Sequence, residues 1–134
     1  MCLTSRYRIS KKATRDIKVW KVVLNDWRID SWRAPFYPMF TYKKDNRCNE
    51  FLNVAPWNEK VAGYLWTFRI NKGFHTYDNK KDAESTANWF NDKDQPRRPV
   101  ARVVEAVIPK GSRYYQGMDN DYCSEYLHFP SFPF

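Results

Sequence analysis

The sequence predicts an α+β domain: a mostly antiparallel sheet of about six strands with one main helix, forming a single unit over residues 1–134. Three observations predict it. Aromatic residues make up 18% of the chain and hydrophobic residues 43%, which supplies the large flat side chains that strands and a core require. Short runs rich in β-branched and aromatic residues recur between proline, glycine and asparagine punctuation. One stretch alone combines helical spacing with a cap and an acidic first turn.

Residues 1–16 read as a basic N-terminal arm. "IKVWKVVL" (17–24) is apolar on both faces, as expected of a strand near the middle of a sheet. "FYPMFTY" (36–42) reads as a second strand, with Pro38 placing it at an edge or a bulge. "NEFLNVAPWNEKVA" (49–62) has no assignable pattern. "GYLWTFRI" (63–70) puts Tyr64, Trp66, Phe68 and Ile70 on one face by period-two spacing. "KGFHTY" (72–77) reads as its return strand in a hairpin, with "NKG" as the turn.

"NKKDAESTANWFN" (79–91) is the helix. Asn79 caps it, Asp82 and Glu84 lie in its first turn, and Ala83, Ala87 and Phe90 share one face. The prolines of "DKDQPRRP" cannot continue it. "VARVVEAVI" (100–108) is the strongest strand pattern in the chain, and "PKGS" then turns into "RYYQG". "YCSEYLHF" (122–129) is a last strand. The tail "HFPSFPF" carries three phenylalanines, whose cost in water predicts that it docks on its own domain.

Charge is uneven along the chain. Residues 1–72 hold 15 lysines and arginines against 6 acids, whereas residues 73–134 hold 8 against 9. The first 21 residues carry Arg6, Arg8, Lys11, Lys12, Arg15, Lys18 and Lys21 against Asp16 alone. Such an arm suits phosphates or an acidic partner. The stretch "DWRIDSWRAPFYPMF" (26–40) adds a second basic and aromatic element. There Trp27, Trp32, Phe36 or Tyr37 could stack on bases while Arg28 and Arg33 meet phosphates. The competing reading, which outranks it, places the rings in the core with the arginines lying over them.

Absences remove whole classes of chemistry. The four glycines form neither GxGxxG nor GxxxxGK[ST], and HExxH and GxSxG are missing. Two histidines and the scattered Cys2, Cys48 and Cys123 suggest no metal site and no disulfide framework, which fits reduced thiols in a cytoplasm. Asp119 and Asp121 in "MDNDY" read as a polar turn. A nucleophile made from Cys48 or Cys123 with His75 or His128 depends on proximity in space, and buried structural cysteines are expected instead. No apolar run approaches the roughly 18 residues of a membrane span, so the expectation is a cytoplasmic protein with no membrane contact.

Three pieces of the chain, "VWKVV", "FHTYDNKKDAESTANWF" and "EAVIPKGSRYY", resemble in order the signature strands of the ADP-ribosyltransferase fold. The resemblance implies NAD as cofactor, with Lys21 at the arginine that holds the dinucleotide, Thr76 at the first serine and Glu105 at the glutamate that polarises the ribose. Lysine replaces the planar arginine fork, and Val103 occupies the upstream glutamate position. The same texture also resembles small bacterial and phage proteins. Because binding needs only a surface, the sequence favours a small basic interaction module, encoded by a phage or mobile element and acting on a bacterial protein partner. Nucleic-acid binding is the first alternative and a diverged transferase the second; no cofactor is expected outside the transferase reading.

Overall fold

The computed structural model describes residues 3–26, 31–33, 41–55, 60–61, 65–91 and 100–134. Thirteen strands and one helix occur among them, nine of the strands in one sheet and four in two two-stranded sheets, so the fold is richer in strands than the sequence pattern suggested. They are β1 (Leu3–Ser5), β2 (Lys11–Lys12), β3 (Ile17–Asp26), β4 (Ser31–Arg33), β5 (Asp45–Arg47), β6 (Lys60–Val61) and β7 (Leu65–Trp66). After these come β8 (Phe68–Ile70), β9 (Phe74–Tyr77), α1 (Lys80–Asn91), β10 (Val100–Ile108), β11 (Arg113–Gln116), β12 (Asp121–Ser124) and β13 (Tyr126–His128). No helix among the described residues is long and apolar enough to cross a membrane.

Two long β-branched strands organise everything else. β3 and β10 pair antiparallel over nine residues, from Ile17↔Ile108 to Asn25↔Val100. Around them runs the order β2-β11-β12-β9-β3-β10-β13-β5, with β4 paired to β3. Only Glu125 separates β12 from β13, so the ladders leaving β3 on one side and β10 on the other meet again there, and the sheet curls around an inner core. Val19, Val23, Phe74, Val104, Ala106, Ile108, Leu127 and Phe129 line that core, drawn from four strands and the segment after β13. Burying each large side chain there stabilises the fold by roughly 1.5 to 3 kcal/mol.

The outer face of β3 and β10 is covered by α1, through Val22, Leu24, Ala101, Ala83 and Ala87. The alanines matter because their small side chains let the helix approach the sheet closely. Asn79 caps α1 by accepting from the Lys81 amide at 2.8 Å, and the Tyr77 and Thr86 hydroxyls, 2.9 Å apart, tie the helix to β9. At the other end the Asn91 side chain closes two bonds on Ala101. It donates to the carbonyl at 3.0 Å and accepts from the amide at 2.9 Å, fixing the last helical residue to the start of β10. Asn91→Ala is expected to cost about 1 to 2 kcal/mol, read from the urea midpoint. A change within error would show that the clasp contributes nothing beyond what water supplies.

Several expected elements hold as read. β3 is central, α1 spans the capped segment, and β10 covers residues 100–108. Gly111, at φ +89°, lies in the turn that the Ser112 amide closes on the Pro109 carbonyl at 3.0 Å. The tail docks, with the Phe134 ring 4.9 Å from Phe129 and 5.3 Å from Phe132, edge to face.

Other expectations change. The stretch at 63–70 is not one strand but contains β7 and β8, broken at Thr67. The hairpin does not form: β8 pairs with β1, while β9 pairs with β12 and β3. The last strand is likewise two strands, interrupted at Glu125. Phe36 to Phe40 of the expected second strand, including Pro38, lie outside the described residues.

Candidate functional site

The arm is held by backbone pairing: β1 and β8 form a two-stranded sheet of their own, and β2 is the edge of the nine-stranded sheet. β1 pairs with β8, the Ser10 amide donates to Asn53 at 2.9 Å, and the Ala55 amide donates to Arg8 at 2.7 Å. β2 pairs with β11, and Ala13 exchanges backbone bonds of 2.8 Å with Ser112 and Gly111. The Tyr115 hydroxyl, pushed up to about 12 chiefly by burial, donates to the Leu52 carbonyl at 2.7 Å and holds the 51–55 segment beneath the arm. Leu3, Ser5 and Ala13 point inward and are buried.

What remains outside is both apolar and cationic. Ile9 is 66% exposed and Tyr7 60%, and facing them Val54 is 50% exposed and Leu52 48%. Ile9 and Val54 are bridge partners, so their side chains share one face. Arg6, Arg8, Lys11, Lys12 and Arg15 are exposed around them. The Lys11 ammonium lies 5.2 Å from the centre of the Tyr7 ring. Among the described residues no carboxylate pairs with Arg6, Lys11, Lys12 or Arg15. The arm's acid, Asp16, accepts from the Lys110 amide at 2.8 Å. Net positive charge therefore stands uncompensated beside exposed apolar area, a pairing characteristic of contact surfaces.

The sequence pointed to the cations and missed the apolar members. Their signal was present in the alternation of Tyr7, Ile9 and Lys11 with Arg6, Arg8 and Ser10, but alternation cannot say which face meets water. Of the second basic element, Trp27, Arg28, Phe36 and Tyr37 lie outside the described residues. Trp32 and Arg33 fall in β4, whose side chains also lie outside them.

The three transferase positions do not converge. Lys21 sits between Val19 and Val23 on the inner face of β3, buried, with its ammonium donating to the His75 carbonyl at 2.6 Å. Burial lowers its pKa to about 8. Thr76 faces the same interior from β9, and its hydroxyl has no partner among the described residues. Glu105 lies opposite Trp20 in the β3–β10 register, one residue out of step with Lys21↔Val104, and so occupies the outer face. There its carboxylate pairs with Lys18 at 2.8 Å.

Cysteine and histidine come closer. Cys123 and His75 are cross-strand partners on β12 and β9. The Cys123 thiol is fully buried and donates to the Lys72 carbonyl at 3.2 Å. The His75 imidazole is held neutral, its pKa lowered to about 3 by burial and then by the charge of Lys21. Closed off from solvent in this way, Cys123 is a structural residue. His128 is engaged elsewhere, with Nδ1 2.6 Å from Asp45, and burial pushes the Cys48 thiol up, away from the reactive thiolate. The described residues contain no cluster of three metal-ligating side chains. Asp119 lies in the turn joining β11 and β12 and Asp121 opens β12, where the Gly117 amide donates to the Asp121 carbonyl at 2.7 Å.

Comparison with protein-family models, curated proteins and solved structures finds no match for the chain.

Proposed function

We propose that the protein is a small interaction module that docks an acidic region of a partner protein on its N-terminal face. The observation that supports this reading is the placement of Tyr7, Ile9, Leu52 and Val54 in solvent near Arg6, Lys11, Lys12 and Arg15, with which no described carboxylate pairs. Apolar area supplies affinity when it leaves water, and the cations supply attraction and orientation. An enzyme reading would need Lys21, Thr76 and Glu105 around one substrate, whereas two of them face the core and one faces out. Nucleic acid is the second reading, favoured by the same cations, with the Tyr7 ring available for stacking.

A photo-crosslinking residue at Leu52 tests the proposal in bacterial lysate, with one at Trp89 on the exposed helix as control. The expected result is a discrete protein adduct from position 52 alone, fading as salt rises and weakened about tenfold or more by Ile9→Asp. Adducts to nucleic acid, or equal labelling from both positions, would overturn the protein-partner reading. The transferase reading makes a separate forecast: a rise in melting temperature with NAD that Glu105→Ala abolishes.

A further inference from the structure

The register where the arm joins β11 bears on the chemistry the partner brings, a step that rests on the binding reading above. Gly111 and Ser112 together oppose Ala13: the Gly111 amide donates to the Ala13 carbonyl and the Ala13 amide to the Ser112 carbonyl, each at 2.8 Å. A glycine at positive φ opening such a two-against-one arrangement is a bulge, and it fixes the pairing beside it. The adjoining pair is Lys12 opposite Arg113. Because Ala13 carries the bonds toward Ser112, Lys12 and Arg113 form the narrow, non-hydrogen-bonded pair, with Cβ atoms roughly 4.5 to 5.5 Å apart and both side chains on one face. Like charges directly opposite one another oppose the pairing. Both are exposed, and among the described residues no carboxylate pairs with either. Glu125, whose amide donates to the Arg113 carbonyl at 2.9 Å, has its carboxylate 3.8 Å from Arg47 instead.

We propose that Lys12 and Arg113 receive a phosphoryl group carried by the acidic region of the partner, on a phosphorylated serine or threonine. A carboxylate brings one negative charge and neutralises one of the two cationic heads. A phosphomonoester brings about 1.5 to 2 charges and three acceptor oxygens, enough to engage the arginine fork and the lysine ammonium together. The repulsion built into the pair then becomes attraction for a single group. Each phosphodiester of a nucleic acid carries one charge, so this pair favours the phosphorylated protein over the polynucleotide.

The test uses the full chain and fluorescein-labelled short peptides of glutamate and valine whose central residue is phosphoserine, serine or aspartate. The expected result is binding of the phosphopeptide about tenfold or more tighter than either of the others, fading as salt rises. Arg113→Gln and Lys12→Gln are each expected to remove most of that preference, and Arg113→Lys, which keeps the charge and loses the fork, to retain part of it. Lys81→Gln removes the same charge from the exposed start of α1 and is expected to leave the preference intact. Equal binding of the phosphoserine and aspartate peptides, a preference that survives both glutamine variants, or no binding of any peptide overturns the phosphoryl site. Displacement of the phosphopeptide by an equal concentration of a short oligothymidylate assigns the pair to nucleic acid and overturns it as well. A crosslink from Leu52 that persists in phosphatase-treated lysate leaves the binding module standing and removes only this mode; absence of the crosslink from untreated lysate removes the module too.

Discussion

Gly73→Ala is expected to be severely destabilising for the addition of a single methyl group, costing about 3 kcal/mol or more. Gly73 connects β8 to β9 at φ +128°, a region that side chains avoid. A Cβ there would stand 2.6 Å from the Cys123 sulfur, 3.0 Å from the Ser124 carbonyl oxygen and 3.1 Å from the Phe51 ring. The sulfur cannot withdraw cheaply, because Cys123 is fully buried and its thiol is bonded to the Lys72 carbonyl. Ser124 contributes backbone, and moving it disturbs the β12–β9 ladder. Gly111→Ala separates the two causes: it has φ +89° but nothing within 4 Å of the added methyl, so it carries backbone strain alone, about 1 to 2 kcal/mol. Cys123→Ala in the Gly73→Ala background should restore part of the loss, and urea denaturation of the four proteins in that cycle measures how much. A Gly73→Ala protein as stable as Gly111→Ala would remove the crowding argument.

The Gly73 turn also shows why part of the fold was hidden in the sequence. "NKG" between two strand patterns has the chemistry of a hairpin, and local pattern supplies no reason to doubt it. The structure sends β8 to β1 and β9 to β12, pairings across 65 or so and 46 or so positions of chain that periodicity does not encode. Elements whose signal is local were legible: β10 by the five β-branched residues among its nine, and α1 by Asn79 and the spacing of Ala83 and Ala87. The arm shows the same division. Its charge could be counted, but its place in the sheet depends on partners far along the chain, and the exposure of Ile9 follows from that place. Lys21 shows the converse, a polar residue in an apolar strand that resembled a ligand-holding position. β3 is apolar on both faces because both are covered, and Lys21 went to the interior with its neighbours.

That placement leads to the second large effect: Lys21→Met is expected to raise stability near pH 7 by about 1 to 3 kcal/mol. Burial lowers the amine from its ordinary 10.5 to about 8, a penalty of about 3 kcal/mol on the charged folded state at 1.4 or so per pH unit. Methionine fills similar space without charge and forfeits the bond to the His75 carbonyl, about 1 kcal/mol. Between pH 8 and 10.5 the unfolded chain keeps a proton that the folded chain has released, so the Lys21 contribution makes stability rise with pH there. Cys48, Tyr42 and Tyr115 act in the opposite sense. Burial raises all three, so the folded state holds their protons after the unfolded chain has lost them, and the rise turns over above about pH 9. On the acid side His75, lowered from 6.5 to about 3, makes stability fall as pH drops through that interval. Burial is the main cause and Lys21 the second, so the variant narrows this interval without abolishing it. Urea titrations near pH 4, 7 and 9 should therefore show the variant ahead at neutral pH and the gap shrinking toward pH 9. A variant less stable than the parent near pH 7 would mean that the bond between the Lys21 ammonium and the His75 carbonyl outweighs the cost of burying the charge.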